Sequence, residues 1–363
     1  LAIAACCLAL RPRARGATEV ASWARDIAWA VAATVLILVL ALVVPWLTQG
    51  LDRVRDMVVY GVPAVVCCTL LDRPRRLALA LAGVLAAGLW IQARWAGTFH
   101  AERNFFGVTR VARSGGGEFH QLVHGNTIHG RQYRDPARQG EPLTYYHRQG
   151  PLGSLFGEFQ RRQPGGRVGV IGLGIGSMAA YARPSESWDF FEIDPAVIRV
   201  ARDPAWFSFL SACQAGSWRV VEGDARLRLG EMPDAGYDLL VLDAFSSDAI
   251  PVHLLTREAL AVYRAKLKPD GWLAVHLSNR YLELEPVVAA LADDAGWVSR
   301  SQDDTAEGDF PGKEASHWMV LAADEAALGR LPRRSAWVPP SNDAGLEPWT
   351  DRRAPVWEVF SWR

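Results

Sequence analysis

The chain of 363 residues is poor in cysteine and has no net charge: five cysteines, and 39 basic residues against 39 acidic ones. The even balance leaves no global field to draw in nucleic acid or another polyanion, so no nucleic-acid partner is expected. Cys6, Cys7, Cys67 and Cys68 lie in apolar segments and Cys213 stands alone. Neither a disulfide framework nor zinc spacing is visible, which suits a reducing compartment. His120, His124, His129 and His147 lack carboxylate partners at ligand spacing, so no metal is expected.

Apolar residues, by contrast, are abundant at 50% and concentrate in the first hundred positions. Ile27 to Leu47 carries no charge over 21 residues and has Trp29 and Trp46 near its ends, the pattern of a bilayer span with interfacial aromatics. Leu77 to Ala93 reads as a second span. Met57 to Leu71 is short and contains Gly61 and Pro63, so it spans, re-enters or packs between the others. The chain opens on Leu1 inside an apolar run, as a fragment of a longer helical region would. Arg11, Arg13, Arg15 and Arg25 set the first loop in the cytoplasm. The expectation is a multi-pass membrane region over 1–96 with the following domain on the cytoplasmic side, chosen for ligand supply.

From Asn104 the pattern changes to short alternating segments around Phe105–Val111, Phe119–Val123 and His124–Gly130, a small β unit over 104–150. Strands and helices then alternate over 151–330, which implies an α/β, doubly wound, Rossmann-like sheet. A tail covers 331–363. The informative stretch is Arg167–Pro195. An apolar strand, Val168 to Ile171, runs into Gly172, Gly174 and Gly176, then a helix from Ser177, then a second strand ending at Glu192, 20 residues after Gly172. Glycines admit close approach of a ligand to the backbone, and a carboxylate at the next strand tip can accept both ribose hydroxyls. A dinucleotide fingerprint wants glycine at 177, where this chain has Ser177. The alternating G-x-G-x-G instead resembles the first motif of S-adenosylmethionine methyltransferase-type folds.

Further strands end at Glu222-Gly223-Asp224-Ala225 and at Asp243, so Glu192, Asp224 and Asp243 point at one crevice beyond the strand tips. Asp224 can accept from an adenine amino group or cap the helix that follows. Asp243 and Asp248 lie five apart on one loop closed by Pro251. Such a pair can hold a cationic amine and take its proton, because an amine of pKa about 10 cannot attack until deprotonated. The electrophile would be a carbon beside a sulfonium, with a neutral thioether leaving.

The succession G-x-G-x-G, E-I-D-P, G-D-A and Y-D-L-L-V-L-D, then a second Asp and Pro, resembles spermidine synthases and other polyamine aminopropyltransferases. Helices ahead of R-N-F-F-G-V and the D-A-F-S-S-D-A-I-P loop resemble the membrane-fused branch. The resemblance covers about Phe105 to Ala322. It implies ribose binding by Glu192, adenine binding by Asp224 and Ala225, and proton acceptance by Asp243, with Tyr146, His147 and Asp248 facing the amine. It also implies decarboxylated S-adenosylmethionine, or S-adenosylmethionine itself, as co-substrate, a small amine as acceptor, and methylthioadenosine as product. A homodimer is compatible with it. Three departures fall in the acceptor half: Ile175 stands where the family has an acid, Ile128 where it has Gln, and the loop between Asp243 and Asp248 is two residues longer than the family's. An ordinary methyltransferase and a nucleoside-sensing module on a membrane protein are the competing readings.

Overall fold

A computed structural model describes residues 18–47, 52–71, 73–95, 97–125, 127–244, 251–279, 281–305, 310–331, 336–341 and 345–361. The chain forms two compact units, Leu1–Gly97 and Thr98–Arg363. The first contains helices α1 (Thr18–Leu47), α2 (Asp52–Cys68) and α3 (Pro74–Trp95). Asp26 on α1 and Arg76 on α3 form an ion pair at 2.6 Å. Trp29, Val31, Val35 and Val39 of α1 face outward.

Among the described residues, one helical window, Trp23–Leu40, is long and apolar enough to cross a membrane. This corrects the multi-pass expectation. The helix over 77–93 forms, but Arg75, Arg76 and Arg94 flank it and alanine and glycine dilute its apolar stretch. The helix over 57–71 is shorter still, starts with Asp52, Arg53, Arg55 and Asp56, and has Pro63 inside.

The second unit holds two sheets. Strands β1 (Thr98–Asn104), β2 (Gly107–Ser114), β3 (Phe119–His124) and β4 (Thr127–Tyr133) make an antiparallel meander in chain order. β1 is not apparent from sequence. Its run His-Ala-Glu-Arg-Asn alternates between half-buried and exposed and buries no residue fully, so it carries no apolar periodicity.

The main sheet has seven strands in the order β10-β11-β9-β8-β5-β6-β7. They are β5 (Arg167–Ile171), β6 (Ser187–Glu192), β7 (Ser217–Glu222), β8 (Tyr237–Leu242), β9 (Leu267–His276), β10 (Val298–Asp304) and β11 (Ser316–Ala322). β5 to β9 pair in parallel, and β11 runs antiparallel to both its neighbours. Parallel strands are covered on both faces, which is why β8 is buried at every position and reads as an apolar run interrupted only by Asp238. β10, by contrast, has the polar sequence Val-Ser-Arg-Ser-Gln-Asp-Asp and sits at the edge, so the sequence pattern does not announce it.

Alternate residues of the central strands serve opposite faces. On one face Phe156 and Phe159 of α4 (Pro151–Arg162) pack with Trp188, Phe190 and Trp272. On the other, Leu260 and Tyr263 of α7 (Arg257–Lys266) and Val288 of α8 (Glu285–Asp294) meet Leu240, Leu242 and Met319. At about 1.5–3 kcal/mol per buried aliphatic side chain, these two layers fix the sheet. The shorter helices α5 (Pro195–Arg202) and α6 (Ala225–Gly230) follow β6 and β7, and α9 (Glu325–Leu328) follows β11. β5 has β6 on one side and β8 on the other, so the winding reverses there, and the crevice opens beyond that reversal.

Candidate active site

The crevice has a volume of about 280 Å³. Its floor is the ends of β5, β6 and β8, and one wall comes from the small sheet through Phe106, Leu122, His124 and His129. Among the described lining residues are four carboxylates, Glu192, Asp194, Asp224 and Asp243, and no lysine or arginine. Such a lining favours a cationic ligand.

The glycine turn after β5 places backbone where side chains would collide. Gly172 has φ of 98°, and a Cβ there would lie 2.3 Å from the carbonyl oxygen of Asp243. Gly174 has φ of 54°, and its Cβ would approach the His129 carbonyl at 2.9 Å. Both line the crevice. Gly176 does not: it takes φ of 81° beneath Leu210 and caps the 3-10 helix Ser177–Tyr181, so its role is to turn the chain. Of the three glycines expected at the ligand, Gly172 and Gly174 line the crevice and Gly176 does not.

Glu192, the last residue of β6, accepts the Leu173 N–H at 3.0 Å and the Asp194 N–H at 2.9 Å. Burial pushes its pKa up, and the two amides oppose that push. Each oxygen keeps a second lone pair for a ligand hydroxyl. Asp194 accepts from Asn104 of the small sheet and from Ala196 N–H, capping α5. Asp224 accepts the Leu227 N–H at 3.0 Å as the cap of α6, and its other oxygen lies 3.0 Å from Nε2 of His253. The capping role is therefore real. A base amino group would share the oxygen that His253 now occupies. Ala225 lines the crevice beside it.

At the opposite end Asp243, nearly buried, has both oxygens engaged. Tyr146 donates its hydroxyl to Oδ2 at 2.7 Å, and His276 Nδ1 lies 2.7 Å from Oδ1. The Tyr145 and Tyr146 hydroxyls are 3.1 Å apart. Burial first, then the charge of Asp243, holds both phenols well above the usual tyrosine range, so they stay protonated donors. Tyr181 donates to the Tyr146 carbonyl at 2.6 Å and fixes the backbone there.

The crevice thus gathers Gly172, Gly174, Glu192, Asp224, Ala225, Asp243 and Tyr146. His147 is not among its lining residues. It stacks on Phe310 at 5.8 Å and accepts the Gln149 N–H at 3.2 Å. Asp248 lies outside the described residues. Sequence reasoning missed Tyr145, His253 and His276. For His276 a signal existed, because it ends β9 as the acids end their strands.

Strand order, glycine turn and acid-tipped strands define a Rossmann-like, methyltransferase-type domain whose crevice can hold a nucleoside. No protein-family model matches the chain. It is 32% identical over 158 residues to a polyamine aminopropyltransferase of Vibrio vulnificus (strain CMCP6), covering 42% of this chain and 49% of that protein. Over 119 residues it is 34% identical to polyamine aminopropyltransferase 2 of Streptomyces coelicolor, covering 31% of this chain and 22% of that one. The chain therefore spans about half the length of the first relative and less of the second. The crystal structure of a probable spermidine synthase from Corynebacterium glutamicum ATCC 13032 shares the fold with a TM-score of 0.53 at 16% identity, over 72% of this chain and 98% of that one. Over part of its length the chain is thus similar to polyamine aminopropyltransferases, and it shares the fold of a probable spermidine synthase.

Proposed function

We propose that the chain is an aminopropyltransferase: it takes decarboxylated S-adenosylmethionine and a small amine, and releases methylthioadenosine and the aminopropylated amine. The observation that carries this reading is a crevice lined, among the described residues, by four carboxylates and no lysine or arginine, with both oxygens of Asp243 held by hydrogen-bond partners. Both reactants are cations, a sulfonium and an ammonium, and such a lining suits both. Glu192 takes the ribose hydroxyls, Asp224 with Ala225 takes the base, and Gly172 and Gly174 let the nucleoside lie against the backbone.

At neutral pH only about one amine in a thousand is unprotonated when its pKa is near 10. Asp243 accepts the proton that the attacking nitrogen must lose. The nitrogen lone pair forms the C–N bond in line as the C–S bond breaks, and its electron pair leaves on sulfur as a neutral thioether. Tyr146 orients the Asp243 carboxylate through its hydroxyl. A positioned base of this kind contributes on the order of a hundredfold to ten-thousandfold in rate.

The membrane part of the reading rests on Trp23–Leu40, which would tether the chain to a bilayer, with Thr98–Arg363 on the cytoplasmic side. Chromatography of products from the full chain, given decarboxylated donor or S-adenosylmethionine with a panel of amines, tests the chemistry. Methylthioadenosine with an aminopropylated amine is expected. Adenosylhomocysteine as product would replace the reading with a methyltransferase.

A further inference from the structure

We propose that His276 is a positioning residue for Asp243, its Nδ1–H holding the carboxylate aimed into the crevice. The kinetic half of this proposal rests on the aminopropyl-transfer reading above; the structural half does not.

The register of the sheet brings the pair together. Leu242 and Val275 are paired across β8 and β9, so the next residues, Asp243 and His276, emerge side by side at the strand tips. Nδ1 and Oδ1 are 2.7 Å apart, with side-chain exposures of 4% and 3%. An ionised carboxylate can only accept, which assigns the proton to Nδ1 while Asp243 is charged. The ring cannot swing off. Trp318 stacks on one side at 4.5 Å and 12°, and Tyr145 lies against it at 4.5 Å and 31°.

Tyr145 in turn meets the Tyr146 hydroxyl, which holds the second oxygen of Asp243. Residues from the 143–146 segment and from β9 thus converge on one carboxylate. Two donors at 2.7 Å, one on each oxygen, fix the plane of this buried carboxylate. The lone pairs left over are those an ammonium can reach. A base works only when aimed at the proton it takes, so the donors decide how well Asp243 meets the amine. Among the described residues, the ionisable groups against Asp243 include Tyr145 and Tyr146 from the preceding segment and His276 from β9, and Glu314 bears on Tyr145.

The test uses the full chain and two readouts. Proton NMR should show a far-downfield imidazole N–H resonance that disappears in His276→Gln and moves upfield in Asp243→Asn; its absence from the unaltered protein, or indifference to Asp243→Asn, overturns the proposal. The kcat, read as methylthioadenosine release, should fall on the order of a hundredfold in His276→Ala with KM for the donor little changed, because the carboxylate loses the donor that aims it. His276→Gln, which keeps an N–H, should recover at least about tenfold in kcat. A kcat unchanged in His276→Ala, or no recovery in His276→Gln, would mean that His276 only packs. If no amine yields methylthioadenosine, the aminopropyl reading fails, and the resonance still decides the role of His276.

Discussion

One set of crevice residues, the backbone and strand-tip carboxylates proposed to hold the nucleoside, sits close together in sequence: Gly172, Gly174 and Glu192 fall within one strand-turn-strand unit, and Asp224 opens the next helix. At the other end the groups come from segments far apart. Tyr145 and Tyr146 precede the sheet, Asp243 follows β8, and His276 closes β9, so that hydrogen bonds cross 97 and 33 residues of chain. The first end is a local motif and the second a product of sheet register. A nucleoside site can therefore be carried almost intact by a short stretch, whereas the reacting end depends on the whole fold being correct.

This difference also explains what was legible in the sequence. The glycine alternation and the acids after apolar runs announce themselves, because period and spacing are local properties. Tyr146 is visible only through family resemblance, and nothing local links His276 to Asp243. Adjacency in sequence to Tyr146 likewise says nothing about the side-chain direction of His147, which stacks on Phe310. Gly176 shares the spacing of its neighbours but spends its positive φ on the turn. In the fold, the two polar strands β1 and β10 escape pattern reading because neither presents an apolar face. The apolar N-terminal helices read more uniformly than they are, since flanking arginines and a proline set two of them apart from the one membrane-length window.

The contrast between the two ends can be broken experimentally. The largest effect is expected from Asp243→Asn, which keeps the shape and removes the base: turnover should fall about a hundredfold to ten-thousandfold while affinity for methylthioadenosine stays near that of the unaltered protein. Equal losses in both would mean the ends are not separable. Glu192→Gln should do the reverse. Loss of charge-assisted hydrogen bonds worth about 1.5–3 kcal/mol should weaken methylthioadenosine binding roughly tenfold to a hundredfold by calorimetry. Gly172→Ala forces a side chain into a positive φ and against the Asp243 carbonyl, so its melting temperature should drop on the order of 5 °C, with both ends disturbed together.

A smaller effect sharpens the nucleoside end. The pKa of Glu192 is raised by burial, so the folded, empty protein holds that proton more tightly than the unfolded chain. Its contribution to stability is present below the ordinary glutamate pKa and is lost as pH rises through the raised one. Nucleoside binding, which uses the ionised form, should run the opposite way and strengthen over that same rise. Melting curves and titrations across pH 4 to 8 (roughly the range spanning the ordinary glutamate value and neutrality) should therefore slope in opposite directions, and Glu192→Gln should flatten both.

The most direct measurement is calorimetric titration of the full chain with decarboxylated S-adenosylmethionine and with methylthioadenosine. The account expects both to bind at one site, the sulfonium more tightly than the neutral thioether, with Glu192→Gln weakening each. No binding of either ligand, or binding that is indifferent to Glu192→Gln, would contradict an acid-lined crevice made for an adenosyl sulfonium.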